Sequence, residues 1–201
     1  MKRIIKILAG LLVAVAIAGI HAYGDWSVAL YDRNVDSGLY ANIGEMTEHT
    51  LVQQEFVCPQ NGLNAVNLRV ALYSRENQTE LTYRIVEKES GEVAVEGVIV
   101  PADLEDNDFN QFTFSPISDS KNKIYLLEIE DQGAPAGDGI TVFTTNKNKD
   151  SQTLTVNDET SDQALVAKIS MRYFNVEDFV VLLALFAYVV GFIKLLYRFL
   201  K

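Results

Sequence analysis

The run FVVLLALFAYVVGFI at 179–193 carries no charge, and its apolar character continues to Leu200 around Lys194 and Arg198. As a helix taken to Leu200 it extends about 33 Å, enough for a hydrocarbon core of about 30 Å. Lys194 and Arg198 have stems long enough to lie along such a helix while their heads reach the headgroups. Glu177 and Asp178 stand outside one end and Lys201 at the other, and Tyr173, Phe174 and Tyr197 occupy places suited to interfacial aromatics. A core helix of a soluble protein carries a polar stripe, which this run lacks. Residues 173–201 are therefore expected to form a C-terminal transmembrane helix, and the rest of the chain has to fit beside it.

The other end is apolar too. Residues 4–20 are interrupted only by Lys6, and about 26 Å of helix just covers a thin hydrocarbon core. The basic start, the apolar stretch and His21-Ala22 also have the three regions of an export signal. The A-x-A match at Ala16-Ile17-Ala18 lies inside the apolar stretch, however, and cleavage after Ala22 would place bulky Ile20 at the −3 position. Residues 1–22 thus read as a transmembrane anchor or a signal peptide, with the anchor favoured.

Charge separates the ends from the middle. The chain has 17 basic and 27 acidic residues, and Lys2, Arg3, Lys6, Lys194, Arg198 and Lys201 all lie in residues 1–22 and 179–201, which hold no acidic residue. The middle is left with 11 basic against 27 acidic residues, net −16. Positive charge beside a membrane segment stays on the cytoplasmic side, so both ends are expected inside and the middle outside. A domain so acidic has no bulk attraction for nucleic acid or anionic lipid. The single Cys58 forms no intramolecular disulfide and reads as a buried small hydrophobe; low cysteine use outside the cytoplasm suits a bacterial cell surface.

Between the ends the dominant period is two. Val66, Leu68, Val70 and Leu72 share one face opposite Asn67, Arg69 and Tyr73, while Leu81, Tyr83 and Ile85 alternate with Thr82 and Arg84. Nine strands are predicted, at 50–57, 63–73, 81–85, 92–100, 110–115, 123–130, 139–145, 151–156 and 164–171. Turn residues separate them, among them Pro59-Gln60-Asn61-Gly62, Ser90-Gly91 and Ser115-Pro116. With no helical run between strands, residues 50–172 are expected to form an all-β domain, a two-sheet jelly-roll-like sandwich flanked by N- and C-terminal transmembrane helices. Residues 23–49 are less regular; Trp26, Leu30, Tyr31, Leu39 and Tyr40 suit docking against either the sandwich or the membrane interface.

Residues 53–145 resemble a β-sandwich module found in bacterial multi-pass membrane glycosyltransferases and other envelope-polysaccharide proteins. The resemblance lies in Gln54-Glu55-Phe56 before Leu63-Asn64-Ala65-Val66, in Tyr73-Ser74-Arg75-Glu76-Asn77 before Leu81-Thr82-Tyr83-Arg84, and in Ala102-Asp103-Leu104 leading to Asp106-Asn107. It continues through Phe112-Thr113-Phe114-Ser115-Pro116, Tyr125-Leu126-Leu127-Glu128, and Pro135-Ala136-Gly137 before Ile140-Thr141-Val142. It implies an extracytoplasmic module that works beside glycan synthesis. The polytopic transferase body is absent from this chain.

Candidate chemistry is sparse. Asp103, Glu105, Asp106 and Asp108 crowd four carboxylates into one loop, a pattern that can hold Ca²⁺, yet the loop lacks the spacing and glycine of an EF-hand. It reads as a solvated acidic turn, those four residues being weak metal candidates, and no metal or cofactor is expected. The glycine-rich 133–139 loop is no phosphate loop, since G-x-x-x-x-G-K-[ST] is missing. His21 and His49 give neither ligand spacing nor a triad with a serine. Catalysis is therefore not expected. Tyr31, Tyr40, Tyr73, Tyr83 and Tyr125 can act as stacking platforms for sugars or as ordinary sheet residues, and Tyr73, Tyr83 and Tyr125 are the candidate glycan contacts. Asn77-Gln78-Thr79 is a glycosylation sequon.

The expectation is a non-catalytic accessory protein of the bacterial cell membrane, its C-terminus cytoplasmic. Its sandwich would contact a polysaccharide, a lipid-linked sugar or a partner membrane glycosyltransferase, and no nucleic acid. The alternative is a structural or assembly subunit of a larger membrane complex, docked through the small residues Ala184, Ala187 and Gly191.

Overall fold

The computed structural model describes residues 2–47, 49–146 and 152–200. The chain divides into two compact units, Met1–Asp25 with Arg172–Lys201, and Trp26–Met171.

In the first unit, helix α1 (Lys2–Ala22) and helix α2 (Val176–Phe199) lie side by side. Asn175 donates its backbone N–H to the Ala22 carbonyl at 2.8 Å, His21 Nδ1 meets Asp178 Oδ2 at 2.8 Å, and the Arg172 guanidinium grips both oxygens of Asp25 at 2.8 and 2.7 Å. The end of α1 therefore meets the start of α2, and the pair is antiparallel. Asn175 caps α2 by accepting from Asp178 N–H, while Glu177 and Asp178 in the first turn and Arg198 in the last complement the helix dipole. Among the described residues α2 is the one helix long and apolar enough to cross a membrane. Its 24 residues reach about 36 Å, and none is buried by protein. Of the two end segments, α2 alone has the length and apolar character that spanning requires, since the apolar stretch of α1, expected as an anchor or a signal peptide, covers only Leu8–Ala22.

The second unit is built from two antiparallel sheets. Sheet 1 contains β1 (Tyr23–Ala29), β13 (Ala167–Phe174), β4 (Leu63–Ala71), β9 (Thr141–Thr145) and β12 (Ala164–Leu165) in that order, with β2 (Ala41–Asn42) on β9 and β7 (Phe109–Ile117) on β4. Sheet 2 runs β11 (Glu159–Ser161), β10 (Leu154–Val156), β3 (Leu51–Val57), β8 (Ile124–Asp131), β5 (Leu81–Glu87), β6 (Val93–Ile99). The chain changes sheet at most of its connections, from β2 to β3, β3 to β4, β4 to β5, β6 to β7, β7 to β8, β8 to β9, β9 to β10 and β11 to β12. Alternation explains why these segments become strands: Val52, Gln54 and Phe56 point into the core from β3, as do Tyr125, Leu127 and Ile129 from β8, and Val66, Leu68 and Val70 from β4. The sheets meet through apolar packing and one polar tie, in which buried Gln54 accepts from Leu165 N–H at 2.9 Å and donates to the Glu55 carbonyl at 2.9 Å.

The strands expected at 50–57, 63–73, 81–85, 92–100, 110–115, 123–130 and 139–145 are present with ends shifted by up to two residues, whereas the one expected at 164–171 is divided at Val166 into β12, paired with β9, and β13, paired with β4. Ser151, the expected start of another, lies outside the described residues, and that strand runs Leu154–Val156. Residues 23–49 are more ordered than their sequence suggests, because β1 and β2 come from them. Leu30 and Tyr31 are buried against the sandwich, whereas Leu39 is 70% exposed.

Candidate ligand-contact surface

Several residues singled out above serve the fold. Tyr125 is 1% exposed and stacks on Phe56 at 5.7 Å; Tyr83 is buried and packs on Phe112 at 5.5 Å. Burial pushes both phenols above their ordinary pKa. Neither ring is presented to a sugar, which corrects the reading of Tyr83 and Tyr125 as glycan contacts. Tyr73 is 42% exposed, but the Arg75 guanidinium lies over its ring at 4.8 Å. Cys58 is buried, donates its thiol to the Gln60 carbonyl at 3.0 Å, and has its pKa pushed up by burial, which leaves it unreactive.

The acidic loop does not gather its carboxylates. Asp106 accepts from Leu72 N–H at 2.6 Å and Ser74 N–H at 3.1 Å, pinning Tyr73 and Ser74 in left-handed backbone, and Asp108 accepts from Phe109 N–H at 2.6 Å. Asp103 sits in a single 3-10 turn, Pro101–Asp103. Among the described residues no three His, Cys, Asp or Glu side chains converge as metal ligands. The sequon asparagine Asn77 is 4% exposed and donates its amide to the carbonyls of Asp138 and Gly139, so the folded domain does not present it for glycosylation. In the helical unit Ala184 and Ala187 are exposed, and nothing lies within 4 Å of a Cβ built on Gly191. The face of α2 that loses exposure instead carries Phe179, Leu182, Leu183 and Phe186, and on α1 the covered positions include Ala14, Ala18 and Ala22. The expected small-residue stripe is therefore not the seam between these two helices.

The two outer faces of the sandwich differ in charge. On sheet 2 the register sets Gln53, Glu128, Arg84 and Glu96 side by side across four strands. Arg84 lies 2.6 Å from Glu130, 3.9 Å from Glu128 and 4.0 Å from Glu96, and Lys88 reaches Glu55 at 2.5 Å. The cations of this face are matched by carboxylates.

On sheet 1 they are not. The register places Lys168 beside Asn67 and Gln111, and Arg69 beside Phe109. These outward positions on β4, β7 and β13 include no acidic residue. Arg69 is half-buried, with its guanidinium carbon 5.4 Å from the Tyr40 ring centre and 5.0 Å from that of Phe143. Its Nε donates to the Asn107 carbonyl at 3.3 Å, and among the described residues no acceptor engages its two terminal nitrogens. Lys168 Nζ lies 4.0 Å above the Phe109 ring, also with no carboxylate partner among the described residues. Tyr31 closes one margin, buried edge-on against Tyr40 at 5.8 Å; burial and its hydrogen bond to Tyr40 push its phenol up to about 12. Ala29, Ala164 and Val166 pack beneath these rings. Ser27, Ser170 and Asn67 form a hydrogen-bonded row, with hydroxyl to hydroxyl 2.7 Å and amide to hydroxyl 3.3 Å. Exposed Gln111 adds another amide.

This surface combines rings, hydroxyls, amides and two cations that rings hold in place. Sequence reasoning placed Arg69 on the polar face of its strand and noted Tyr40, but Phe109, Phe143 and Lys168 were not singled out. No local signal joins them, because six separate segments supply the surface. Compared with protein-family models and with curated proteins, the chain matches none.

Proposed function

We propose that this protein is a non-catalytic accessory protein of the bacterial envelope, a jelly-roll-like sandwich tethered to the membrane that contacts a glycan through the outer face of sheet 1. The observation that carries this reading is the grouping of Tyr40, Phe109 and Phe143 with the polar row Ser27, Asn67, Ser170. Aromatic rings bind the apolar faces of sugars, and hydroxyl and amide groups bind sugar hydroxyls. The resemblance of residues 53–145 to modules of membrane glycosyltransferases supports the same reading, as does α2, which suits anchoring. In this reading both chain ends are cytoplasmic, the sandwich lies outside, and its mechanism is positioning: tethering raises the local concentration of a lipid-linked sugar, a polysaccharide or a partner glycosyltransferase.

The test uses the full chain in nanodiscs of neutral lipid, applied to immobilised polysaccharides extracted from bacterial envelopes. Retention is expected, and Phe109→Ala or Tyr40→Ala should reduce it at least fivefold, while Tyr125→Phe leaves it unchanged. Absence of retention on every polysaccharide would refute the reading.

A second reading, an assembly subunit of a larger membrane complex, is favoured by the exposed stripe Ala184, Ala187, Gly191, which leaves room for the close approach of another helix. Co-purification of a membrane protein with the wild type, lost on Ala187→Leu, distinguishes it.

A further inference from the structure

We infer that the sheet 1 surface selects an acidic sugar, holding its oxyanion between Arg69 and Lys168. The inference rests on the glycan-contact reading and adds the chemical class of the ligand.

Charge matching is the first argument. In a domain this acidic, cations find carboxylates easily: Arg75 pairs with Glu45, Arg84 with Glu130, Lys88 with Glu55 and Lys123 with Glu87. Arg69 and Lys168 find none among the described residues, although both are half-buried and so partly stripped of water. A cation that has lost hydration without gaining a counter-charge gains more from an incoming anion than a fully hydrated one does.

Geometry is the second. Two rings, Tyr40 and Phe143, and the bond from Nε to the Asn107 carbonyl hold the guanidinium of Arg69. What remains free is the pair of terminal nitrogens, the part of arginine that engages an oxyanion in two parallel hydrogen bonds. Little side-chain entropy is then lost on binding, because the fork is already ordered. Lys168 borders the same ring, Phe109, that stands opposite Arg69 in the register. The two cations thus flank one aromatic residue, and the acceptors and donors of Asn67 and Gln111 lie in the adjacent row.

Size and charge narrow the class. Two cations suit one isolated oxyanion, whereas an extended polyphosphate needs a track of several. The net −16 of the middle opposes a densely charged polymer. An otherwise neutral sugar bearing one carboxylate or one phosphate fits both constraints. The shared chemistry is a sugar oxyanion, and its source is either a uronate residue or a sugar phosphate.

The experiment titrates full-length protein in phosphatidylcholine nanodiscs with methyl glucuronide, glucose 1-phosphate and neutral maltohexaose, at low and at physiological salt. At least one acidic probe should bind about tenfold or more tightly than maltohexaose, with an advantage that shrinks as salt rises. Binding of methyl glucuronide alone identifies the uronate source, and binding of glucose 1-phosphate alone the phosphate source. Lys168→Gln and Arg69→Gln should each remove most of the advantage. Lys168 donates no hydrogen bond within the described residues, so its variant tests the idea without loss of fold, and thermal melts check both. Equal affinity for acidic and neutral probes, unaffected by Lys168→Gln, would overturn this inference while leaving the glycan reading intact. Absence of binding to all three saccharides would overturn both, as would binding only to added phosphatidylglycerol vesicles.

Discussion

Gly97 gives the most direct test of how the sandwich core is packed. It lies in β6 directly opposite Tyr83 of β5, and a Cβ built on it falls 2.6 Å from both Cζ and Oη of that ring. Ordinary carbon contacts are near 3.5–4.0 Å, so Gly97→Ala forces the ring to retreat by about 1 Å. Tyr83 has no free direction, since it is buried and packed on Phe112 at 5.5 Å. Overpacking of this kind costs about 1–3 kcal/mol, against which the gain from replacing a strand glycine is about 0.5–1 kcal/mol. The net loss is centred on about 1 kcal/mol within a span of about 0–2.5 kcal/mol, the central value being roughly 2–4 °C in Tm for a domain of this size. Thermal unfolding of the full chain in detergent, followed by far-UV circular dichroism, measures it. Tyr83→Leu lacks the atoms that Cβ would strike, so Gly97→Ala should be nearly neutral in that background, giving a coupling of about 1 kcal/mol or more. Equal cost in both backgrounds would refute the packing argument.

Three further outcomes follow from burial and charge. The hydroxyl of Tyr125 is buried without a partner among the described residues, so Tyr125→Phe should raise stability by about 1 kcal/mol in denaturant titrations. Asp138 accepts from the Thr79 hydroxyl at 2.7 Å, from Gln78 N–H at 2.8 Å and from Thr79 N–H at 2.9 Å, bonds that hold its carboxyl below the usual range. A depressed folded pKa gives stability that is present above about pH 4 and lost as pH falls through the folded value, so Asp138→Asn should flatten the acid limb of the melting curve. Alkylation of Cys58 should be slow in the native protein and follow the global unfolding equilibrium in denaturant; a fast native reaction would show that the thiol is not sealed.

Legibility in the sequence tracked distance along the chain. Alternation exposed β3, β4, β5 and β8, since each buries one full face. The same phase already held the answer for Tyr83, which alternates with Leu81 and Ile85, and for Tyr125, in step with Leu127 and Ile129: residues in phase with buried neighbours are buried too. The first strand was missed because Gly24, Trp26 and Val28 follow an apolar helix without a turn signal, although Asp25 and Ser27 between them mark the alternation. The candidate surface was beyond reach for another reason. Tyr40, Arg69, Phe109, Phe143 and Lys168 are separated by tens of residues, and only the order of sheet 1 brings them together. The missing carboxylate partners of two cations are a fact of register, which no window of sequence contains.

The place of β13 in sheet 1 has a consequence for how the chain reaches its native state. The last strand of the sandwich lies between its first strand and β4. A growing chain therefore has no complete sheet 1 until residues 167–174 have been synthesised, at about 5–20 residues per second. Until then β1 has no neighbour on which to zip, and β4 keeps an open edge. Closing so long a loop adds entropy only logarithmically, about (3/2)RT ln n, so the delay is kinetic rather than a large loss of final stability. A nascent chain stalled before residue 167 would expose unpaired strands to proteases and to other chains, and release of β13 would act as the step that commits the sandwich to fold.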